Sequence, residues 1–132
     1  MTPDELADRL LDFAARIGKL ADSLPETRLG RHVANQVIRS GTSPAPNYEE
    51  GRAAESRRDF VHKLSISLKE LRETRYWLRL TARSGLIEKT KLVDLLDESD
   101  QLCRILGQSL ATARNAPRPQ RIEQQPTVPP PK

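Results

Sequence analysis

Two stretches of this chain space their apolar residues by the same alternating step. Leu6, Leu10, Phe13, Ile17, Leu20 and Leu24 follow one another at intervals of four, three, four, three and four residues. Leu92, Leu96, Ser99, Cys103, Leu106 and Leu110 repeat that series. At 3.6 residues per turn such positions fall on a single stripe of an α-helix. A stripe that long has to be covered by other helices. No run alternates β-branched with polar residues, so no strand is expected.

Boundary residues divide the rest of the chain. Thr2 and Glu5 make a capping box ahead of the first stripe, Pro3 occupies the first helical position, and Pro25 stops the helix. A second helix begins near Thr27, takes Val33, Val37 and Ile38 as its apolar face, and is expected to end at Gly41. Ser43 then caps a further segment, Pro44 to about Ala53. There Pro44 and Pro46 sit in a first turn, where a missing N–H would have no intrahelical partner anyway. The third helix runs from Ser56 to Ser84 with Gly85 as its stop. Phe60, Leu64, Leu68, Leu71, Leu78 and Ala82 line one side of it, while Val61, Ile66, Trp77 and Leu80 lie off that side, so more than one packing partner is expected. The fourth helix spans about Glu88 to Ala113. Short connections between these segments predict an all-α fold, an antiparallel up-and-down four-helix bundle over residues 1–115 with its second helix broken near Gly41. Residues 116–132 hold six of the ten prolines and three aliphatic residues, a composition expected to form a disordered Pro-rich tail.

Charge is unevenly distributed. The whole chain carries 22 Lys and Arg against 18 Asp and Glu, an excess that permits nucleic acid or an acidic partner without demanding either. Residues 52–83 hold nine basic and four acidic side chains, whereas residues 84–113 hold three and five. Arg72, Arg75, Arg79 and Arg83 recur at three- and four-residue steps, with Arg52, Arg57, Arg58 and Lys63 near the start of the same helix. A guanidinium ridge suits phosphate, because each neutralised phosphate releases counterion. The competing reading is a solvated face, or arginines paired across a subunit interface with the acidic fourth helix. Tyr76 and Trp77 could stack on bases, but the off-stripe position of Trp77 favours a subunit contact. Asn47 and Glu50 project to one side and are read mainly as bonding to backbone near the Gly41 junction or the Gly51 break.

Several chemistries find no support. A di-metal bundle needs paired Glu-x-x-His motifs, and this chain has only His32 and His62, with Asp59-x-x-His62 as the sole near match. Cys103 falls on an apolar stripe and reads as a small core residue. Gly41 and Gly51 are ten residues apart without the Lys-Ser/Thr that follows a phosphate loop. The expectation is a non-enzymatic protein with no catalytic residue, metal or cofactor. A lone cysteine suits a reducing cytosol. MTPDELADRL lacks the regions of a signal peptide, and no apolar run approaches the ~18 residues of a membrane span. A cytoplasmic location away from membrane is therefore expected.

Arg39-Ser40-Gly41-x-Ser43, Asn47, Glu50-Gly51, Ser56, Asp59-Phe60 and Ser67-x-x-Glu70, with the Leu24-Pro25 stop and the Gly30–Gln36 approach, together resemble the four-helix-bundle proteins of the 23S rRNA intervening sequence protein family. The resemblance spans about residues 5 to 113. Pro44 and Pro46 depart from it, standing where small or aliphatic residues are usual. What the resemblance implies is an up-down bundle that assembles into a ring-like homopentamer. It also implies kinship with the accessory variability determinants of diversity-generating retroelements, in which a basic pentamer binds a reverse transcriptase and nucleic acid. The functional expectation is a homo-oligomeric scaffold that touches RNA or DNA through its third helix. The alternative is a protein-interaction adaptor, such as the accessory subunit of a reverse transcriptase.

Overall fold

A computed structural model describes residues 1–117; positions 118–132, where all but the first two residues of the expected tail fall, lie outside the described residues. The described chain is helical throughout: α1 (Pro3–Ser23), α2 (Arg28–Thr42), α3 (Pro44–Arg52), α4 (Arg57–Arg83) and α5 (Val93–Asn115), with a single 3₁₀ turn at Lys89–Lys91. α2 and α3 act as one rod, so the architecture is a four-helix bundle.

Local chemistry sets the ends. The Thr2 hydroxyl accepts the Glu5 N–H at 3.1 Å and the Glu5 carboxylate accepts the Thr2 N–H at 2.7 Å, a reciprocal cap on α1. Thr27 accepts the Gly30 N–H at 3.0 Å, and Ser56 accepts the Asp59 N–H at 3.1 Å, capping α2 and α4. α4 closes through Gly85 at φ +70°, with the Leu86 N–H on the Thr81 carbonyl at 3.1 Å and the Gly85 N–H on the Ala82 carbonyl at 3.2 Å. That pair of bonds is a Schellman closure, and the left-handed residue in it favours glycine.

α1 packs on the α2–α3 rod, the rod on α4, α4 on α5, and α5 back on α1. Arg9 of α1 fastens the last of these seams, donating to Glu98 at 2.6 and 3.0 Å and to Gln101 at 3.1 Å. The stripes read from sequence on α1 and α5 are buried, Leu92 included, apart from Leu96, which is half-buried. Met1 and Ala116 line one shared groove, so both ends of the described chain sit at the same end of the bundle. There Arg52 reaches Asp4 at 2.6 Å, and the Arg57 guanidinium holds the Ala116 carbonyl at 2.7 Å together with that of Pro117.

Four expectations need correction. Gly41 lies next to the end of α2, as expected, but it is not the left-handed stop of that helix, which runs on to Thr42. It is buried inside α2, and a β-carbon there would lie 2.6 Å from Ile17 Cγ2 and 3.0 Å from Ile17 Cβ, so its small size lets α1 and α2 touch. Ser43 does not cap α3 with its side chain; its own φ of −81° and ψ of −35° are helical, and the break shrinks to a joint between Thr42 and Pro44. Ile38 is 40% exposed rather than part of the apolar face of α2, because the burial centres on Gly30, Val33, Val37, Ser40 and Gly41. The fourth helix begins later than Glu88, since the chain first winds a tighter turn with the Lys91 N–H on the Glu88 carbonyl at 2.9 Å and the Leu92 N–H on the Lys89 carbonyl at 3.0 Å.

The buried side of α4 also differs from its expected list. Leu64, Leu68, Leu71 and Leu78 are in the core, but Ser67, Thr74 and Thr81 join them with no exposure at all, while Phe60 and Ala82 are only half-buried. Each hydroxyl is satisfied. Ser67 donates to the Pro44 carbonyl at 2.9 Å, Thr74 bonds the Glu70 carbonyl at 2.8 Å and shares a 2.9 Å bond with the Ser40 hydroxyl, and Thr81 donates to the Trp77 carbonyl at 2.8 Å.

Two predictions follow from these contacts. Gly41→Ala loses stability in urea unfolding, because an overpacking cost of about 1–3 kcal/mol exceeds the helix-propensity gain of up to about 1 kcal/mol. Gly18→Ala, with nothing within 4 Å of the added carbon, gains stability instead. The Thr2 bonds hold the Glu5 carboxyl below its ordinary range. Its contribution is therefore present above the pKa of the unfolded chain and is lost as pH falls through the lower folded value. NMR titration of Glu5 is expected to show a midpoint below that of the free side chain, and Thr2→Val to raise it.

Candidate nucleic-acid interface

The basic residues of the central helix part into two groups, and the partition follows from where each lies around the helix. At 3.6 residues per turn, Arg58, Lys69, Arg72, Arg79 and Arg83 fall within an arc of about 80° on the side away from the core. All five are exposed. Among the described residues none of them makes an ion pair. The three carboxylates of α4, Asp59, Glu70 and Glu73, lie outside that arc. At about 1.5 Å per residue the row from Arg58 to Arg83 is about 37 Å long.

The other candidates are used inside the fold. Arg52 pairs with Asp4 at 2.6 Å and Glu49 at 3.4 Å, and the Asp4 carboxylate holds its guanidinium proton more firmly than usual. Lys63 reaches Glu50 of α3 at 2.6 Å, and Arg75 reaches Asp100 of α5 at 3.2 Å. Arg57 is occupied by the Ala116 and Pro117 carbonyls. Each spans two parts of the bundle, so each has a structural task that leaves it less available to a ligand.

The junction residues are equally engaged. Asn47 donates its side-chain amide to the Ser43 carbonyl and hydroxyl, both at 3.0 Å, bracing the joint between α2 and α3. Glu50 is taken by Lys63 rather than by backbone. Gly51 is buried where α3 meets α4; a β-carbon there would lie 3.1 Å from Lys63 Cβ. Arg39 leaves the junction altogether and crosses to α4, bonding Glu70 at 3.0 Å and also Glu73. Its two partners are thereby turned away from the basic row.

Glu73 has a second task. It accepts the Trp77 indole N–H at 3.0 Å, which fixes that ring beside α2. The His32 imidazole meets the indole edge-to-face at a centroid distance of 5.6 Å, and Tyr76 does so at 4.9 Å. Trp77 is half-buried, while Tyr76 is 55% exposed and lies inside the basic arc.

Two positions were missed in the sequence. Lys69 belongs to the basic arc, which the helical period alone could have revealed. Lys89 lies beyond the Gly85 turn, yet shares a groove of about 430 Å³ with Arg79, Ala82, Arg83 and Leu96. Only the folded chain brings it there. Elsewhere, burial pushes the Cys103 thiol above its ordinary pKa, so little thiolate forms at neutral pH. Among the described residues no three His, Cys, Asp or Glu side chains gather as a metal site, and no helix is long and apolar enough to cross a membrane.

Comparison with known proteins points one way. A family model described as 23S rRNA-intervening sequence protein matches residues 5–108. The fold is similar to a crystal structure from Bacteroides thetaiotaomicron VPI-5482 of a protein with unknown function from the S23 ribosomal protein family. The two chains are 35% identical with a TM-score of 0.78, over 85% of this chain and 100% of that one. None of the curated proteins matches this sequence.

Proposed function

This chain belongs to the 23S rRNA-intervening sequence protein family, and we propose that it is a non-enzymatic, homo-oligomeric helical scaffold that binds RNA or DNA through the outer face of α4. One observation carries the reading: Arg58, Lys69, Arg72, Arg79 and Arg83 form an exposed row that contains no carboxylate and, among the described residues, no ion pair. Arg52, Lys63 and Arg75 are paired with carboxylates within the fold and Arg57 is bonded to two carbonyls, so the row is what remains to meet an external anion. Phosphate is the anion that suits a row of guanidinium and ammonium groups. Assembly as a homopentamer would set five such rows side by side and multiply a modest net charge of +4 per chain. A cytoplasmic location belongs to the same proposal, since a free thiol would stay reduced there.

A protein-interaction adaptor, for example the accessory subunit of a retroelement reverse transcriptase, draws on a different observation. Leu29 and Ile38 are exposed on α2, and Leu29 lies one turn before the His32–Trp77 contact. The two lie nine residues apart on opposite sides of the helix, so each offers a single apolar contact to a protein partner or a second copy.

Titration with labelled RNA and DNA across a salt series distinguishes a phosphate-binding row from a solvated face. The logarithm of affinity is expected to fall linearly with the logarithm of salt. Arg72→Gln weakens binding irrespective of sequence and lowers the salt slope by about one. Arg75→Gln, already committed to Asp100, leaves the slope nearly unchanged. Absence of binding at low salt would reject the proposal. In light scattering the expected mass is a fivefold multiple of the 14.9 kDa chain; a monomer would remove the summed-charge argument.

A further inference from the structure

We propose that the C-terminal third of the outer face of α4 selects single-stranded nucleic acid, with a base stacked on Tyr76 and the neighbouring phosphates held by Arg79 and Arg83. This rests on the reading of that face as a nucleic-acid contact and adds the class of strand it takes.

An exposed tyrosine in a basic row has no part in neutralising phosphate. Phosphate binding needs cations alone, and a duplex presents its phosphates outward with its bases already stacked on one another. Tyr76 adds nothing to such a contact, yet it stands in the middle of the row, one turn before Arg79 and two before Arg83. The residue is more than half exposed. It is also held in place, since it packs at 74° against the indole of Trp77, which Glu73 fixes by its N–H. A pre-positioned, open aromatic ring is what an unpaired base stacks on, and every base has a π-face to offer.

The surroundings fit the rest of a nucleotide. Tyr76, Arg79, Leu80 and Arg83 line a hollow of about 180 Å³, with Leu80 as an apolar floor. No carboxylate lines it. The two arginines stand on the ridge between this hollow and the groove that contains Lys89, so cationic groups continue along the path of a strand beyond the stacked base. An acidic protein segment would satisfy the arginines but would leave the open ring unexplained.

The chain contains one tryptophan, 4.9 Å from Tyr76, and its fluorescence reports on the site directly. The probes are an oligothymidylate, an abasic strand of the same length and a duplex of that length. The wild-type protein is expected to bind the oligothymidylate more tightly than the abasic strand and to change its Trp77 emission only with the former. Tyr76→Ala weakens oligothymidylate binding roughly tenfold, down to the level of the abasic strand, and Tyr76→Phe, which keeps the π-face, restores it. Duplex binding is not selectively affected by either change. If Tyr76→Ala binds oligothymidylate as well as wild type while Arg72→Gln weakens it, stacking is wrong and the phosphate row stands. If no probe binds at low salt, both ideas fail. If Tyr76→Ala instead lowers the mass of the oligomer, the ring belongs to a subunit contact and the proposal is overturned.

Discussion

The bundle depends on a close approach at the middle of the α2–α3 rod. Gly41 lets the rod lie directly against Ile17 of α1. On the other side Ser40 meets Thr74, and the Pro44 carbonyl accepts from Ser67. Small residues bring the backbones together, and their hydroxyls answer polar groups that would otherwise be buried without partners. Pro44 sits inside this seam, and Pro46 faces out from the first turn of α3. Because the chain keeps helical dihedrals through Ser43, with Asn47 bracing the joint, the rod continues rather than opening into a loop. Everything else is arranged about that seam: α4 is held against the rod along one side, which leaves its opposite side free.

Much of this was readable in the sequence. The stripes of α1 and α5, the caps at Thr2, Thr27 and Ser56, and the stop at Gly85 are local features, fixed by residues within one or two turns. The errors came where a residue type has two uses. Glycine at position 41 does stand at a helix end, but its local sequence does not show that it serves a contact with a residue twenty-four positions away. Ser67, Thr74 and Thr81 were left out of the core because hydroxyl residues are usually exposed. Their burial depends on acceptors supplied by the Pro44, Glu70 and Trp77 carbonyls and on the Ser40 hydroxyl. Helical period narrows such positions but does not say which polar residue finds its partner.

The basic helix shows the same division. The sequence identified a cluster of cations without separating those spent on the fold from those left over. Arg75 and Arg72 differ by three positions, yet only Arg75 lies within reach of Asp100. Glu70 and Glu73 are sequence neighbours of Lys69 and Arg72, but the helical period sets them outside the basic arc, and Arg39 of α2 pairs with both. The outer face is therefore left basic by position around the helix, and the acids that flank it are occupied by a partner on an adjacent helix.

Arg57 and Arg52 mark one end of the bundle, where Pro3 begins α1 and where Pro117 is held. Arg79, Arg83 and Lys89 occupy the other. α4, at roughly 40 Å for its 27 residues, measures the distance between them. The molecule is thus a rod with unlike poles. A peptide joined before Pro3 departs from the pole remote from Arg79, Arg83 and Lys89, so a fusion or immobilising tag at the N terminus leaves that surface facing outward. Tethered to a support by its N terminus, the rod presents that basic end to solution.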